Sequence, residues 1–346
     1  MKRIGILGHF AFGQEKNNGQ TIKTKIVTEE LQKVYGKDAV GMEDSVGRWR
    51  FLLRLPMVVL RLLINYQNII IMPAYKGVCV ISPLLVLGNF FFHRRLHYIV
   101  IGGWLPLYVQ KYPLLRFFLK KFYRIYVETN NMQQQIEAYQ IRNIVVMPNF
   151  KPLNVLDEPA FPNLRSYPLR LCTFSRVMKR KGIEEAISAV LECNQQMGRE
   201  VYTLDIYGPI EHGENAWFEQ LMSLQPSSIR YGGVIPFLES TAVLSNYFTL
   251  VFPTLFKTEG FAGTIIDAMA TGLPPIASDC PSNCELIRDG ETGLLFSQGS
   301  VDALKNRLLQ VASDPSIIDQ MRSNCLREAG RFLPEEIIKS VTLHIL

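Results

Sequence analysis

The sequence predicts an α/β fold made of two doubly wound domains. Short apolar runs that end in glycine, such as residues 2–8, alternate with longer helical patterns, which is typical of parallel sheets. A stretch with five prolines between positions 148 and 168 separates two such series. The length of 346 residues and the apolar content of 48% suit two domains of ordinary size, each with its own core.

The first domain is predicted to occupy residues 1–150. A strand over residues 2–8 is followed by a loop and by a helix over residues 20–35. Further strands are expected at 68–72, 98–101, 125–127 and 144–147. Residues 151–168 are predicted to form the linker.

The second domain is predicted to occupy residues 169–331, and the tail 332–346 is expected to return to the first domain. Strands are predicted at 169–174, 202–207, 229–231, 249–252 and 275–278, and helices at 182–197, 301–312 and 315–331. In folds of this class, ligands bind at the carboxyl ends of the strands. We therefore expect a binding cleft between the carboxyl ends of the two sheets.

The cysteines and the N-terminus favour a cytoplasmic protein. Six cysteines are scattered through the chain, and Cys280 and Cys284 lack the second pair or the nearby histidines of a zinc site. We expect reduced thiols and no metal. No signal peptide is expected, because Met1-Lys2-Arg3 precedes a run of only about five apolar residues.

Charge is distributed unevenly along the chain. Residues 1–165 have a net charge of +12, and residues 166–346 have a net charge of −6. Residues 45–127 contain 12 Lys and Arg but no Asp or Glu, and they include the basic-aromatic segments 48–63, 90–95 and 113–126. This mixture favours an anionic membrane surface over nucleic acid as a partner.

The basic segments predict a peripheral rather than an integral membrane protein. In residues 113–126, Arg116, Lys120 and Arg124 recur every four residues, which predicts one helix with a basic face. The apolar runs 79–92 and 55–64 are too short or too interrupted to span a bilayer. The expected location is the inner face of the cell membrane. The alternative is that these are amphipathic helices packed on a sheet with solvated basic sides.

Residues 253–296, PTLFKTEGFAGTIIDAMATGLPPIASDCPSNCELIRDGETGLLF, carry the most informative motif. Glu259 lies in a glycine-containing turn that opens a short helix, and Asp267 lies in that helix. A loop leading into a helix N-terminus presents N–H groups that favour an anion such as a diphosphate. Two carboxylates near that loop suit the binding of sugar hydroxyls.

A second segment supplies cations. Arg176 and Lys181 lie five residues apart, after the strand 169–174 and immediately before Gly182. Fixed cations are suited to neutralising a departing diphosphate.

Together these segments resemble the donor site of the retaining GT-B glycosyltransferases of the family-4, or glycosyl transferases group 1, type. The chain is most similar to the polysaccharide- and lipopolysaccharide-assembly branch of that family. The resemblance covers about residues 169–296 and is weak over residues 1–150. It implies a GT-B fold with two Rossmann-like domains and a nucleotide-sugar donor, most commonly UDP-linked.

The resemblance also implies roles for individual residues. Arg176 and Lys181 would grip the diphosphate. Glu259 would contact a hydroxyl of the donor hexose, and Asp267 would contact the ribose hydroxyls. Further donor contacts are implied for Gly19, Ile235, Phe261, Ala262, Gly263 and Thr264. Neutralisation by Arg and Lys would make a divalent metal unnecessary.

The sequence departs from the family pattern at two points. The second acid is commonly Glu, and here it is Asp267. Many relatives carry a histidine after a central strand, whereas the strand predicted at 98–101 is followed by Gly102-Gly103-Trp104. His97 is expected to precede that strand, so no side-chain base is assigned. In a same-face mechanism the leaving phosphate oxygen can take the acceptor proton.

The resulting prediction is a retaining hexosyltransferase. It would act on a lipid-linked or growing saccharide acceptor in cell-surface polysaccharide or lipopolysaccharide biosynthesis. Two alternatives are a non-catalytic scaffold or binding subunit with a GT-B-like fold, and a nucleotide-sugar epimerase on the same fold.

Overall fold

The computed structural model describes residues 2–13, 19–153, 166–236 and 239–345. The chain separates into two compact units. Unit 1 comprises Met1–Lys151 and Leu333–Leu346, and unit 2 comprises Pro152–Phe332. Most of the predicted linker, residues 154–165, and part of the first loop, residues 14–18, lie outside the described residues.

Unit 1 contains a parallel sheet in the strand order β2-β1-β3-β4-β5-β6. Ile4 in the first strand pairs with Val40 on one side and with Asn68 on the other. The inner strands are buried apolar runs, as expected for a parallel sheet covered on both faces. The strands are β1 (Lys2–Gly8), β2 (Val40–Asp44), β3 (Tyr66–Ile71), β4 (Arg95–Ile99), β5 (Arg124–Val127) and β6 (Ile144–Val146).

The helices of unit 1 connect consecutive strands. The second, third and fifth of these helices make most of the contacts between helices. They contribute Leu62, Leu85 and Leu119, respectively, to the core. The helices are α1 (Gly19–Tyr35), α2 (Arg48–Asn65), α3 (Lys76–Phe92), α4 (Leu105–Lys111), α5 (Pro113–Leu119) and α6 (Asn130–Glu137).

Unit 2 repeats the plan with the strand order β12-β11-β10-β7-β8-β9, again parallel. Leu171 pairs with Leu204, and Leu250 pairs with Pro275. The strands are β7 (Leu169–Phe174), β8 (Tyr202–Tyr207), β9 (Ile229–Gly233), β10 (Thr249–Phe252), β11 (Pro275–Ser278) and β12 (Leu294–Phe296).

The helices of unit 2 bury apolar faces against this sheet. The longest ones share a core through Ile187, Val190, Leu304 and Leu308. The helices are α7 (Ile183–Gln196), α8 (Asn215–Ser223), α9 (Ser240–Leu244), α10 (Gly263–Ala270), α11 (Pro281–Leu286), α12 (Val301–Ser313) and α13 (Ser316–Ala329).

The C-terminal residues belong to unit 1. They form two short helices, α14 (Pro334–Ile337) and α15 (Lys339–Thr342). Tyr35 Oη of α1 donates to the carbonyl of Thr342 at 3.2 Å, and Asn68 Nδ2 donates to the carbonyl of Ile345 at 3.3 Å. These contacts fix the tail on the sheet of unit 1.

The prediction of one basic helix over residues 113–126 is wrong. Helix α5 ends at Leu119, and Arg124 is the first residue of β5. Asn143 Nδ2 donates to the carbonyls of Leu119 and Phe122 at 3.0 and 2.7 Å, which satisfies carbonyls that a continuing helix would have used. Arg116 and Arg124 therefore do not share a helix face.

The predicted position of His97 before its strand is also wrong. His97 lies inside β4 and is buried. Its ring nitrogens lie 3.2 Å from Tyr126 Oη and 3.3 Å from Asn68 Oδ1. Burial lowers the pKa of His97 to about 3. A neutral imidazole buried in the middle of a strand is a structural group.

Among the helices that the structure describes, none combines the length and the hydropathy needed to cross a bilayer.

Candidate functional site

The predicted donor-site residues of unit 2 lie in the loops at one edge of the sheet or in helix α10, which follows one of them. Arg176 and Lys181 follow β7, Ile235 follows β9, and Glu259 follows β10. Because the strands are parallel, their carboxyl ends share this edge, where α/β folds bind ligands. The fold therefore brings together side chains that are up to 83 positions apart in the sequence.

The basic loop after β7 is held by the loop after β8. Val177 N–H donates to the carbonyl of Pro209, and Glu211 N–H donates to the carbonyl of Val177, both at 2.9 Å. Gly182 ends the loop with φ 73°, and a Cβ there would lie 2.0 Å from the carbonyl oxygen of Pro253. Glycine is required at this position because the loops after β7 and β10 approach so closely.

The central contact of the site joins Lys181 to Glu259. Lys181 Nζ lies 2.6 Å from Glu259 Oε2, and each side chain is 14% exposed. Thr254 Oγ1 donates to the same carboxylate oxygen at 2.7 Å. The Lys181 ammonium also lies 5.3 and 5.6 Å from the ring centroids of Phe252 and Phe256. Lys181, which is predicted to bind the diphosphate, is thus in direct contact with Glu259, which is predicted to bind the hexose. Thr254, Phe252 and Phe256 orient this pair.

Arg176 makes a second ion pair. Its Nη1 lies 2.6 Å from Glu211 Oε2, with both side chains partly exposed. Glu214 Oε2 accepts from the backbone N–H of Lys179 at 3.0 Å. The loop after β8 therefore supplies carboxylates to the basic loop. A diphosphate binding to Arg176 would exchange with the Glu211 carboxylate rather than meet an isolated cation.

Asp267 lies on α10 and is 4% exposed. Its Oδ2 accepts from Ser240 Oγ of α9 at 3.0 Å. Phe261 and Ala262, which precede α10, are buried, whereas Gly263 and Thr264 in its first turn are half-buried. The backbone of that turn is the accessible part of the α10 N-terminus. A ribose contact by Asp267 remains a prediction.

Two further donor contacts were predicted, one in each unit. Ile235 is half-buried in the loop after β9. Gly19 is the first residue of α1 in unit 1, and no described residue has an atom within 4 Å of where a Cβ at Gly19 would lie.

The carboxyl edge of the unit 1 sheet carries aromatic groups. Trp104 follows β4, is buried, and donates from Nε1 to the carbonyl of Ile101 at 2.8 Å. The half-exposed ring of Tyr75 stacks on Trp104 with centroids 5.1 Å apart. His9 directly follows β1, and its Nδ1 lies 2.8 Å from Thr21 Oγ1 of α1.

A buried ion pair ties α1 to the end of β5. Lys23 Nζ lies 2.7 Å from Glu128 Oε1, and these side chains are 4% and 3% exposed. The two residues are 105 positions apart, so no local pattern indicates the pair.

Three polar residues of the unit 2 site were not predicted: Glu211, Ser240 and Thr254. Only weak signals point to them. Glu211 is an acid three residues after the strand-ending Gly208, and Thr254 directly follows Pro253 after β10. Within the four described ranges, no group of three or more His, Cys, Asp or Glu has an arrangement that could hold a metal ion.

Comparison with known families bears on this unit. Residues 168–314 match the family described as glycosyl transferases group 1. The matched range contains every predicted donor-site residue except Gly19.

Curated relatives match over part of their length. The GtfA subunit of the UDP-N-acetylglucosamine–peptide N-acetylglucosaminyltransferase of Streptococcus pneumoniae is 27% identical over 196 residues, which cover 54% of this chain and 37% of the relative. The O-antigen chain mannosyltransferase B of Escherichia coli is 31% identical over 104 residues, which cover 30% of this chain and 26% of the relative. The chain therefore spans roughly a third of the length of these relatives.

A solved structure matches the whole chain. HepE of Anabaena, in complex with UDP, superposes with a TM-score of 0.76 at 18% identity and covers 99% of both chains. The fold is GT-B, with two Rossmann-like domains, and the fold prediction is confirmed.

Proposed function

We propose that this protein is a retaining glycosyltransferase that moves a hexosyl unit from a nucleotide sugar, UDP-linked, to a saccharide acceptor. The observation that carries the proposal is the Lys181–Glu259 contact at the carboxyl edge of unit 2. It joins a cation suited to a diphosphate with a carboxylate suited to a sugar hydroxyl. The family match over residues 168–314 and the UDP bound in HepE support the same donor class.

In the proposed reaction the bond between the anomeric carbon and the diphosphate oxygen breaks. The electron pair goes to that oxygen, and Arg176 and Lys181 neutralise the developing charge, a task for fixed charges and backbone dipoles. The N–H groups at the start of α10 add to this field. We propose that these groups supply the neutralisation without a divalent ion.

Glu259 would orient the hexose through a hydroxyl, and Asp267 would bind the ribose. The acceptor oxygen would attack the anomeric carbon on the face from which the diphosphate departs, which retains configuration. The acceptor proton would pass to the leaving phosphate oxygen. This route uses no basic side chain, and it agrees with the burial of His97 inside β4.

We propose that the acceptor is a lipid-linked or growing saccharide of cell-surface polysaccharide or lipopolysaccharide assembly. The O-antigen mannosyltransferase among the relatives supports this acceptor class. A lipid-linked acceptor would place the enzyme on the inner face of the cell membrane, and the surface of unit 1 fits that location.

Two helices of unit 1 expose apolar stripes, which together we name the α2–α3 face. In α2 the exposed apolar residues recur every three or four positions, at Trp49, Leu53, Met57, Leu60 and Ile64. In α3 the exposed residues Val80, Leu84, Leu87 and Phe91 follow the same spacing, and Phe90 is exposed beside them. Trp49 and Phe91 are each 79% exposed.

Basic residues border the apolar stripe of α2. Arg50 and Arg54 lie three residues before the stripe residues Leu53 and Met57, so they are neighbours of the stripe on the helix surface. Residues 45–127 contain no Asp or Glu, and Arg61, also on α2, pairs with Glu43 of β2 at 3.1 Å. An apolar helix face bordered by arginine is typical of helices that lie in the plane of an anionic bilayer surface.

Vesicle flotation tests this surface. We expect the protein to float with phosphatidylglycerol-containing vesicles, and the triple variant Trp49→Ser, Leu53→Ser, Met57→Ser to remain unbound. Leu224→Ser in unit 2, which replaces a side chain that is 77% exposed, is the matched control and should float normally. Equal flotation of the triple variant and the control would contradict this surface.

Thermal unfolding with nucleotides tests the donor site. A ligand that binds only the folded state raises Tm, and a concentration of about 100 times Kd stabilises by about 2.7 kcal/mol. We expect UDP to raise the Tm of the wild type and to lose this effect in Arg176→Ala and Lys181→Met. Lys305→Met removes a lysine that is ion-paired on α12 and should keep the effect. A UDP response that survives in Arg176→Ala, or none in the wild type, would contradict the proposal.

A further inference from the structure

An apolar groove runs along α3 on the side that packs against α4 and α5. Its first part has a volume of about 260 Å³ and is lined by Lys76, Cys79, Pro83, Tyr108 and Phe118 among others. Its second part has a volume of about 520 Å³ and is lined by Val86, Leu87, Phe90, Phe118 and Lys121 among others. Phe118 borders both parts, so they adjoin. We name the whole the α3 groove.

Helix geometry aligns the two parts of this groove along one helix. Lys76, Cys79, Pro83, Val86 and Phe90 recur every three or four residues, so they lie along one face of α3. At 1.5 Å per residue, the distance from Lys76 to Phe90 along the helix axis is about 21 Å. The groove is therefore long and narrow rather than a rounded pocket.

The position of the groove connects the site edge of unit 1 with the α2–α3 face. Lys76 is the first residue of α3 and follows the carboxyl end of β3, so this end of the groove lies near the edge where such folds bind ligands. In the second part of the groove, Leu87 is a lining residue. Leu87 is also 63% exposed and belongs to the α2–α3 face. A molecule in the groove could therefore extend from that edge to the apolar surface.

Charge restricts the occupant. The charged residues that line the groove, Lys76 and Lys121, are both cationic, and residues 45–127 supply no carboxylate to pair with them. The remaining lining is mostly aliphatic and aromatic. A ligand with a long apolar chain and an anionic phosphate group matches both features.

We propose that the α3 groove binds the hydrocarbon chain of a lipid-phosphate acceptor. The phosphate lies at Lys76, and the chain follows α3 toward Phe90 and Leu87, where it meets the bilayer. This inference rests on the proposed function, which supplies the lipid-linked saccharide, and it assigns the recognition of the lipid part to named side chains.

Cys79 allows a direct test, because its thiol lies on the wall of the groove. Burial raises the pKa of the Cys79 thiol, so alkylation by N-ethylmaleimide is measured at about pH 9. Cys284, the exposed cysteine, is replaced by Ser, and the other four cysteines are buried. Hexadecyl phosphate is expected to slow the alkylation of Cys79 at least tenfold. Butyl phosphate and inorganic phosphate are expected to slow it less than twofold.

A variant with a filled groove tests whether the hydrocarbon chain of the lipid lies in the α3 groove. Because Val86→Trp places an indole in the groove, the protection of Cys79 by hexadecyl phosphate should fall at least tenfold. Leu53→Trp adds the same side chain to an α2 residue that is 84% exposed, and it should keep full protection. Both variants should keep the wild-type Tm to within a few degrees and should keep the UDP response, which shows that they are folded.

Three results would overturn the inference: no protection by hexadecyl phosphate, equal protection by inorganic phosphate, or protection that survives in Val86→Trp. The UDP response of the same preparation separates this inference from the proposed function. Protection of Cys79 without a UDP response would support a lipid-binding groove and contradict the donor site. A UDP response without protection would leave the donor site supported and remove the groove as the lipid site.

Discussion

Units 1 and 2 share a six-stranded parallel plan, and each contains a lysine–carboxylate pair under 3 Å. In unit 1, Lys23 and Glu128 are almost fully buried, with side chains 4% and 3% exposed. In unit 2, Lys181 and Glu259 are each 14% exposed and lie among loops at the carboxyl edge. The difference teaches that accessibility, rather than distance, separates a pair that holds the fold from a pair that can exchange partners with a ligand.

The two units also differ in how their cationic side chains are paired with carboxylates. The cations of the unit 2 site, Arg176 and Lys181, are each matched by a carboxylate from a neighbouring loop. The basic stretch 45–127 of unit 1 contains no acid, and it exposes large apolar side chains on α2 and α3. This difference agrees with the proposal that unit 2 binds a small anionic ligand and unit 1 an extended anionic and apolar one.

The largest expected effect tests the buried pair. Lys23→Met leaves Glu128 buried without its lysine, and breaking such a pair costs about 3–5 kcal/mol. We expect a loss of this size in the free energy of unfolding, measured by urea denaturation. Lys181→Met, with a more accessible partner, should cost less than about 2 kcal/mol while removing the UDP response. Equal losses of stability in the two variants would break the comparison.

A smaller effect concerns acid stability in unit 1. The pKa of His97 is lowered from 6.5 to about 3, mainly by burial and then by nearby cationic groups. The unfolded chain therefore takes up a proton below about pH 6.5 that the folded chain refuses, so stability falls as the pH falls from 6.5 toward 3. The groups that face His97 are Asn68, Arg95, Tyr123, Arg124, Tyr126 and His344.

The expected loss from His97 is about 2 kcal/mol between about pH 6.5 and about pH 4.5. Urea denaturation of the wild type and of His97→Gln across this range measures it, because the variant lacks the titrating ring. The curve for His97→Gln should be shallower by that amount. Parallel curves for the two proteins would show that His97 takes up a proton in the folded state.

The smallest expected effect concerns the ion pair between Arg176 and Glu211 in the unit 2 site. Glu211→Gln removes the carboxylate that pairs with Arg176 and that a diphosphate would displace in the proposed donor site. Partly exposed pairs contribute about 0.2–1 kcal/mol, so the affinity for UDP should rise by up to about fivefold. Isothermal titration gives the value, with Glu219→Gln on α8 as the distant control. Weaker UDP binding in Glu211→Gln would mean that Glu211 positions Arg176 rather than competing with the ligand.

The sequence alone determined the elements that can be recognised from a short run of consecutive residues. Strands 249–252 and 275–278 were predicted with their observed bounds, because buried parallel strands are near-continuous apolar runs. The edge strand β2 was missed because it ends in two acids, and β12 was missed because its apolar run is only three residues long. The loop after β7 and the loop before α10 were found because their residues are adjacent in the sequence.

Contacts between distant segments were decided only by the tertiary structure. The end of α5 at Leu119 depends on hydrogen bonds from Asn143, which lies 24 positions away. Likewise, the Arg176–Glu211 and Ser240–Asp267 contacts join residues that are 35 and 27 positions apart. Local periodicity reports which face of an element is apolar. It does not report which distant polar group will meet a given carbonyl, cation or carboxylate, because that depends on how the strands are ordered in the sheet.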